Sequence, residues 1–455
     1  MFFQNLARGI DIGAHSYLLD LDGVRVVLDA GTHPKIDGLG TLPDFSRLDG
    51  IDLDAILVTH AHLDHMGALP VLCREHPEAL VALTPETLAL GAAMLHNSVN
   101  VMEAQRQELG VMAYPLYTHR ELDGMEPMWL PRPFGRAFSI GDDRGETAEA
   151  VLFPAGHVLG AAGVRLRRNG KTIFYTGDVH FEEQSLVAAA DFPDEPVDVL
   201  ILESTRGDSA RSPGYTREAE TARLADGIRH ALAGGGSVTI PVFALGKTQE
   251  LLAMLLSMMR RGQLPPTPVQ IGGLSTKMTA IHDEFASRSR RLLPGFRFLD
   301  DFPDLWSPRR RTREIEHAPG RIYALSSGMM TENTLSNGFA RKVVGDPRNA
   351  LFFIGYADPD SPAGRVLAAK PGDKVPFDAR DPDSARTIRC EVDKFDFSGH
   401  APREQLVEFA VKVRPSRIIL VHGDEAARQW LKTAIESALP GCQVAIPEAG
   451  ERIDF

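Results

Sequence analysis

DAILVTHAHLDH, residues 54–65, runs from a β-branched, apolar strand pattern directly into four metal-ligating side chains, His60, His62, Asp64 and His65. Four potential ligands in six positions imply a loop, because only irregular backbone can turn all of them toward one point. Imidazole suits zinc, and carboxylates widen the choice to manganese or iron. A plain surface cluster, with Asp64 capping a helix from MGALPVLC, is the bland alternative. It explains poorly why three of the fifteen histidines of the chain fall in six positions after a buried strand.

Three further residues share this setting, a polar group just past a strand: His157 after VLFPAG, Asp178 after IFYTG and His422 after RIILV. Each alone reads as an ordinary loop residue, but together they supply ligands for two ions. A carboxylate such as Asp178 can bridge two cations ~3.5–4 Å apart that share one activated water. Asp29, after VRVVL, is placed to accept a hydrogen bond from a ligating histidine. His15, His33 and His180 lie beside these motifs without an assigned role. His76, His96, His119, His230, His282 and His317 read as exposed or structural. Cys73, Cys390 and Cys442 are odd in number and lack C-x-x-C spacing, so neither a disulfide framework nor thiolate ligation is implied.

Outward from the cluster, SYLLDLDGVRVVLDAG reads as a hairpin turning at Asp22-Gly23. Thr84 and Pro85 open a helix as N-cap and first helical residue. The strands AEAVLFPAG, GVRLRR, KTIFYTGD and PVDVLILES read as a meander, and the whole as an α/β sandwich with helices flanking β layers. Near residue 206 the texture changes to strand–helix alternation, the signature of parallel βαβ units. The chain divides into a first part (1–205), an inserted α/β domain (206–380) and a completion of the first domain (381–455).

With 43% hydrophobic and 24% charged residues the chain has the composition of a soluble globular protein. The N-terminal residues lack the features of a signal peptide, and no apolar run approaches the ~18 residues of a spanning helix. A cytoplasmic protein with no membrane partner is expected. The net charge of −12 is unevenly spread: residues 206–380 hold 25 Lys+Arg against 18 Asp+Glu, the remainder 24 against 43. A basic segment inside an acidic protein can steer a polyanion, since local potential matters more than total charge.

THAHLDH (59–65), AGHVLG (155–160), YTGD (175–178) and LVHGD (420–424) together resemble the metallo-β-lactamase superfamily. ESTRG (203–207), FDFSGHA (395–401), IPVFALGKTQELL (240–252) and SSGMM (326–330) resemble its β-CASP branch of RNA-processing and DNA-repair nucleases. The resemblance implies an αββα sandwich with an inserted α/β β-CASP domain. It also implies two divalent ions, zinc first, with manganese or iron as alternatives. By this resemblance His60, His62 and His157 hold one ion, Asp64, His65 and His422 the other, with Asp178 between them. Asp64 then serves the catalytic centre as well as the metal, His400 donates a proton to the leaving oxygen or a hydrogen bond to the phosphate, and Glu203 orients His400. Histidine at position 422, rather than valine, is the form this motif takes in RNA-processing members.

Gly246-Lys247-Thr248 follows a strand and opens a helix, yet a P-loop needs glycine where Pro241 stands. Nucleotide hydrolysis is excluded, but free amides there, and at Ser326-Ser327-Gly328, are candidate contacts to a strand's phosphates. The run Arg309, Arg310, Arg311 and Arg313 is a further candidate that reads equally as a solvated face. The implied activity is hydrolysis of phosphodiester bonds in single-stranded RNA, endonucleolytic, 5′-exonucleolytic or both. A DNA nuclease on the same scaffold is the alternative, and a homodimer is left open. A small-molecule metallo-hydrolase has little use for a basic insertion or a Glu203/His400 pair.

Overall fold

The structure is a computed structural model that describes residues 1–9, 13–141, 146–306 and 315–455. The arginine run at Arg309–Arg313 lies outside the described residues. Two compact units emerge: Met1–Glu183, Ala189–Arg211 and Gly399–Phe455 form the first, and Gln184–Ala188 with Ser212–Ser398 the second.

The first unit is built on two seven-stranded sheets. Tyr17–Leu21 and Val24–Leu28 pair antiparallel around the Asp22-Gly23 turn, and Val24–Leu28 then pairs in parallel with Ala55–Leu57. The second sheet contains Thr147–Pro154, Ala162–Arg168 and Lys171–Tyr175 in antiparallel order. The sheets bury one shared core: Leu19, Val26 and Leu57 from the first pack with Leu152, Val164, Ile201 and Ile419 from the second. The outer face of the second sheet carries Leu200, Leu202, Ile418 and Leu420 against Leu406, Phe409, Leu431 and Ile435. These last belong to the helices Arg403–Val413 and Glu425–Ala438. Beside the first sheet the helix Pro85–Leu109 starts at Thr84, whose hydroxyl accepts from Thr87 N–H and donates to Gly160 O. Gly91 in this helix lets it close on Met66: a Cβ there would lie 2.4 Å from the methionine sulfur. The layers are αββα.

The expected meander breaks at its last step, because Lys171–Tyr175 and Val199–Glu203 pair in parallel. A parallel pair needs a long crossover, and residues 176–198 provide it. Part of that crossover belongs to the second unit: Ser185, Leu186 and Val187 donate their amides to the buried carboxylate of Glu250 at 2.6, 3.0 and 2.8 Å.

The second unit is a six-stranded, all-parallel sheet with helices such as Arg217–Ala233 and Lys247–Arg260. Its strands Val238–Pro241, Val269–Gly272, Ile322–Leu325 and Ala350–Phe353 are buried throughout, as parallel strands covered on both faces must be. The strand Glu391–Lys394 pairs with Ala350–Phe353. The chain therefore stays in this unit until Ser398, beyond the return at 381 suggested by composition. Among the described residues no helix is long and apolar enough to cross a membrane.

In the first unit the Arg211 guanidinium grips Glu182 through two bonds of 2.6 Å, and Gln405 adds a third at 2.7 Å. The Arg211 bonds hold the Glu182 carboxyl down to about 2. A depressed acid stabilises the fold above its unfolded pKa and loses that contribution as pH falls through the folded one. Glu182→Gln should therefore lower the thermal midpoint at pH 7, with the gap to wild type closing between about pH 4.5 and 2. Melting curves across that range check it; a gap independent of pH would remove the ion pair as its cause.

Candidate metal centre

Six strand ends of the first unit deliver the site. Asp29 follows Val24–Leu28, His60 lies just past Ala55–Leu57, and His157 and Asp178 follow Thr147–Pro154 and Lys171–Tyr175. Glu203 ends Val199–Glu203, and His422 follows Arg417–Val421. The loop expected at residues 60–65 is only half irregular. Leu63–Met66 form a turn of helix with His62 at its N-cap. Neighbours on a helix diverge by ~100°, so Asp64 and His65 enter the site from different sides.

Two main groups of candidate ligand atoms form, one of His60, His62, His157 and Asp178, the other of His15, Asp64, His65 and His422, and Asp178 also faces the second. In the first, His62 Nδ1 lies 3.1 Å from His60 Nε2 and 3.2 Å from His157 Nε2. Asp178 Oδ2 stands 3.6 Å from both outer imidazoles. In the second, Asp178 Oδ1 lies 3.4 Å from His65 Nε2 and 3.3 Å from His422 Nε2, with Asp64 Oδ2 3.6 Å from the latter. His65 Nε2, Asp178 Oδ1 and His422 Nε2 are buried and have no hydrogen-bond partner. Orphaned buried polar atoms are costly, and the two nitrogens stand 3.4 and 3.3 Å from the carboxylate oxygen, near the edge of a tetrahedron with ~2.0–2.1 Å metal–ligand bonds. The donor set fits a divalent transition metal.

In His60, His65, His157 and His422 the other nitrogen is held, which fixes the tautomer and direction of the ring. Thr59 Oγ1 meets His60 Nδ1 at 3.1 Å, Gly399 O meets His157 Nδ1 at 2.9 Å, and Thr205 Oγ1 meets His422 Nδ1 at 2.8 Å. Asp29 Oδ2 takes His65 Nδ1 at 2.8 Å and the Tyr175 hydroxyl at 2.8 Å, while Oδ1 accepts the Thr59 amide at 2.7 Å. Burial pushes His60, His62 and His157 below the usual imidazole range, leaving neutral donors. Burial works against ionisation of Asp64 and Asp178, but facing histidines outweigh it: His65 and then His422 for Asp64, His422 and then His65 for Asp178. Both carboxyls are held well below the ordinary range.

Beside these groups His400 is 21% exposed, and its Nδ1 is 3.2 Å from each oxygen of Glu203. Glu203 is fully buried, and its two oxygens accept the amides of Val179 at 2.7 Å and Thr205 at 3.3 Å.

The comparisons with known proteins follow the same division. Residues 10–221 match the metallo-β-lactamase superfamily, 248–366 the Beta-Casp domain, and 386–447 the Zn-dependent metallo-hydrolase RNA specificity domain. The chain belongs to the metallo-β-lactamase superfamily, in its β-CASP branch. It is 29% identical to "Endoribonuclease ysh1" of Schizosaccharomyces pombe over 96% of this chain and 56% of that protein. It is 29% identical to "Transcription termination factor FttA" of Cenarchaeum symbiosum, over 93% and 66%. It is 27% identical to "Cleavage and polyadenylation specificity factor 73" of Drosophila melanogaster, over 95% and 61%. The chain thus spans little more than half the length of the first of these. A crystal structure of a protein of unknown function from Enterococcus faecalis V583 superimposes with a TM-score of 0.53 at 14% identity, covering 99% of each chain.

The metallo-β-lactamase unit also places residues at the centre that sequence reasoning left without a role. Thr59, Thr205 and Tyr175 orient ligands, and His15 stacks on His422 with ring centroids 4.1 Å apart. In the β-CASP unit the amides expected to be free at the start of Lys247–Arg260 are already used. Gly246 N–H donates to Gln249 Oε1, Lys247 N–H to Leu245 O and Thr248 N–H to Phe243 O. The Gln249 side chain and two loop carbonyls take up these amides, so they are not the free donors that the phosphate contact assumed. At Ser326-Ser327-Gly328 the Ser327 hydroxyl meets Thr331 Oγ1 at 2.9 Å and the Ser327 carbonyl accepts from Ser336 Oγ at 2.7 Å.

Asp29→Asn puts an amide NH2 among the four donors that Asp29 now satisfies, the Thr59 amide and hydroxyl, His65 Nδ1 and the Tyr175 hydroxyl. It should keep the fold but weaken metal binding about 10–100-fold, as read by chelator competition on the purified protein. Unchanged affinity would leave Asp29 as a structural residue of the Thr59 turn.

Proposed function

We propose that this chain is a metal-dependent ribonuclease that hydrolyses phosphodiester bonds of single-stranded RNA. The observation that carries the reading is the pairing of two ligand groups across Asp178 with the Glu203–His400 pair at their edge. Two divalent ions, zinc first for so imidazole-rich a set, would neutralise charge on the phosphoryl oxygens and lower the pKa of the attacking water. Asp178 belongs to the first group and lies 3.4 and 3.3 Å from His65 and His422 of the second. Glu203 keeps His400 turned by its Nδ1, so the proton for the leaving oxygen comes from Nε2, the nitrogen that does not face Glu203. The buried amides on Glu203 hold its carboxylate in place through the step. RNA is supported by the match of residues 386–447 to a family described as an RNA specificity domain, and by relatives named endoribonucleases. Three unpaired cysteines fit a reducing compartment, and we place the protein in the cytoplasm.

The deciding measurement is kcat/KM on end-labelled single-stranded RNA and DNA of matched sequence at one salt concentration, with products sized. RNA should be preferred; equal or better cleavage of DNA overturns the ribonuclease reading and leaves a two-metal nuclease. Sized products separate internal cuts from stepwise removal of nucleotides.

His400→Ala should keep both ions yet lose roughly 10²–10⁴-fold in turnover. Glu203→Gln should fall similarly, and the double variant little further, since the two act as a unit. Loss of metal from His400→Ala would make it a ligand instead.

A further inference from the structure

His422 holds its ring in place from an unfavourable backbone. Its φ is 52°, in the left-handed region. A non-glycine residue there is strained and persists only where its surroundings over-determine it. Thr205 fixes the edge of the ring at Nδ1. The face is covered by His15, with centroids 4.1 Å apart and planes tilted by 33°.

His15 is itself immobilised on every side. It is 3% exposed. Its amide donates to Asp64 O at 3.0 Å and its carbonyl accepts Gly31 N–H at 2.9 Å. Gly31 is indispensable to that approach, since a Cβ there would lie 1.6 Å from Asp64 O. In the ring, Nδ1 meets the Tyr17 hydroxyl at 3.0 Å and Nε2 accepts Gly13 N–H at 3.3 Å. Both nitrogens are engaged by the chain, so the ring offers its neighbours a face rather than a lone pair. Because Nε2 takes an N–H from Gly13, it bears no proton and the ring is uncharged.

We propose that His15 is a positioning residue for the second ligand group, whose ring face fixes the ring of His422 and strengthens binding of a divalent ion by His65, Asp64 and His422. The inference rests on that group holding an ion. An imidazole that ligates a cation carries part of its charge, and a neutral ring stacked on it favours the loaded form, as an aromatic face favours a cation. His15 acts through His422 and touches no reacting atom.

Zinc alone, titrated into the full chain against a chelator of known affinity, tests this without reference to activity. Wild type should take up two ions. His15→Ala should keep the tighter or weaker site formed by His60, His62 and His157 unchanged, and bind the other ion about 10–100-fold more weakly. His15→Phe keeps the face and discards the nitrogens, and should bind both ions within about threefold of wild type. Two ions held by His15→Ala with unchanged affinity overturns the proposal. So does a folded His15→Phe as weak as His15→Ala, which would make a His15 nitrogen a ligand. Should His15→Ala fail to fold, the phenylalanine variant alone decides. A wild type that takes up a single ion overturns both this proposal and the two-ion reading beneath it.

Discussion

Asp178 is 3% exposed and has nitrogens of His60, His65, His157, His400 and His422 between 3.3 and 4.0 Å from its oxygens. Taking an ionised carboxylate out of water costs several kcal/mol unless opposite charge and hydrogen bonds surround it. That requirement draws in histidines from four separate stretches of the chain. Rigid strands are the means: two sheets packed face to face present their ends at one place, and each end supplies a residue that the buried carboxylate needs. The left-handed backbones of Asp29 and His422 are the local strain this convergence imposes, and ring stacking and hydroxyl bonds hold it.

What could be read in the sequence is what repeats a local pattern. The hairpin at Asp22-Gly23, the capped helix at Thr84 and the run His60–His65 each carry their signal within a dozen residues. The candidate ligands His157, Asp178 and His422 could be singled out because each follows a strand, although nothing local says that three strand ends coincide. Parallel pairing of Lys171–Tyr175 with Val199–Glu203 was not legible, since it depends on where a long crossover returns. Nor were the partners of the ligands. Thr59 and Thr205 are ordinary threonines until the fold brings an imidazole beside them, and Tyr175 reads as one more apolar strand residue. The amides at Gly246–Thr248 were misread for a related reason: the side chain of Gln249 folds back as a cap, and composition does not foretell that.

The first unit is assembled from three pieces of chain, and the ligands are divided among them in order. His60, His62, Asp64, His65, His157 and Asp178 come before the first departure at residue 183, Glu203 and Thr205 lie between departures, and His400 and His422 follow the final return at 399. A ribosome must therefore make the whole second unit before the centre can be completed. Until then the growing chain has the first ligand group but lacks the imidazole that closes the second and the one beside Glu203. Placing the second unit inside the first, rather than before or after it, makes the completed chain a condition of assembling both ligand groups and the Glu203–His400 pair.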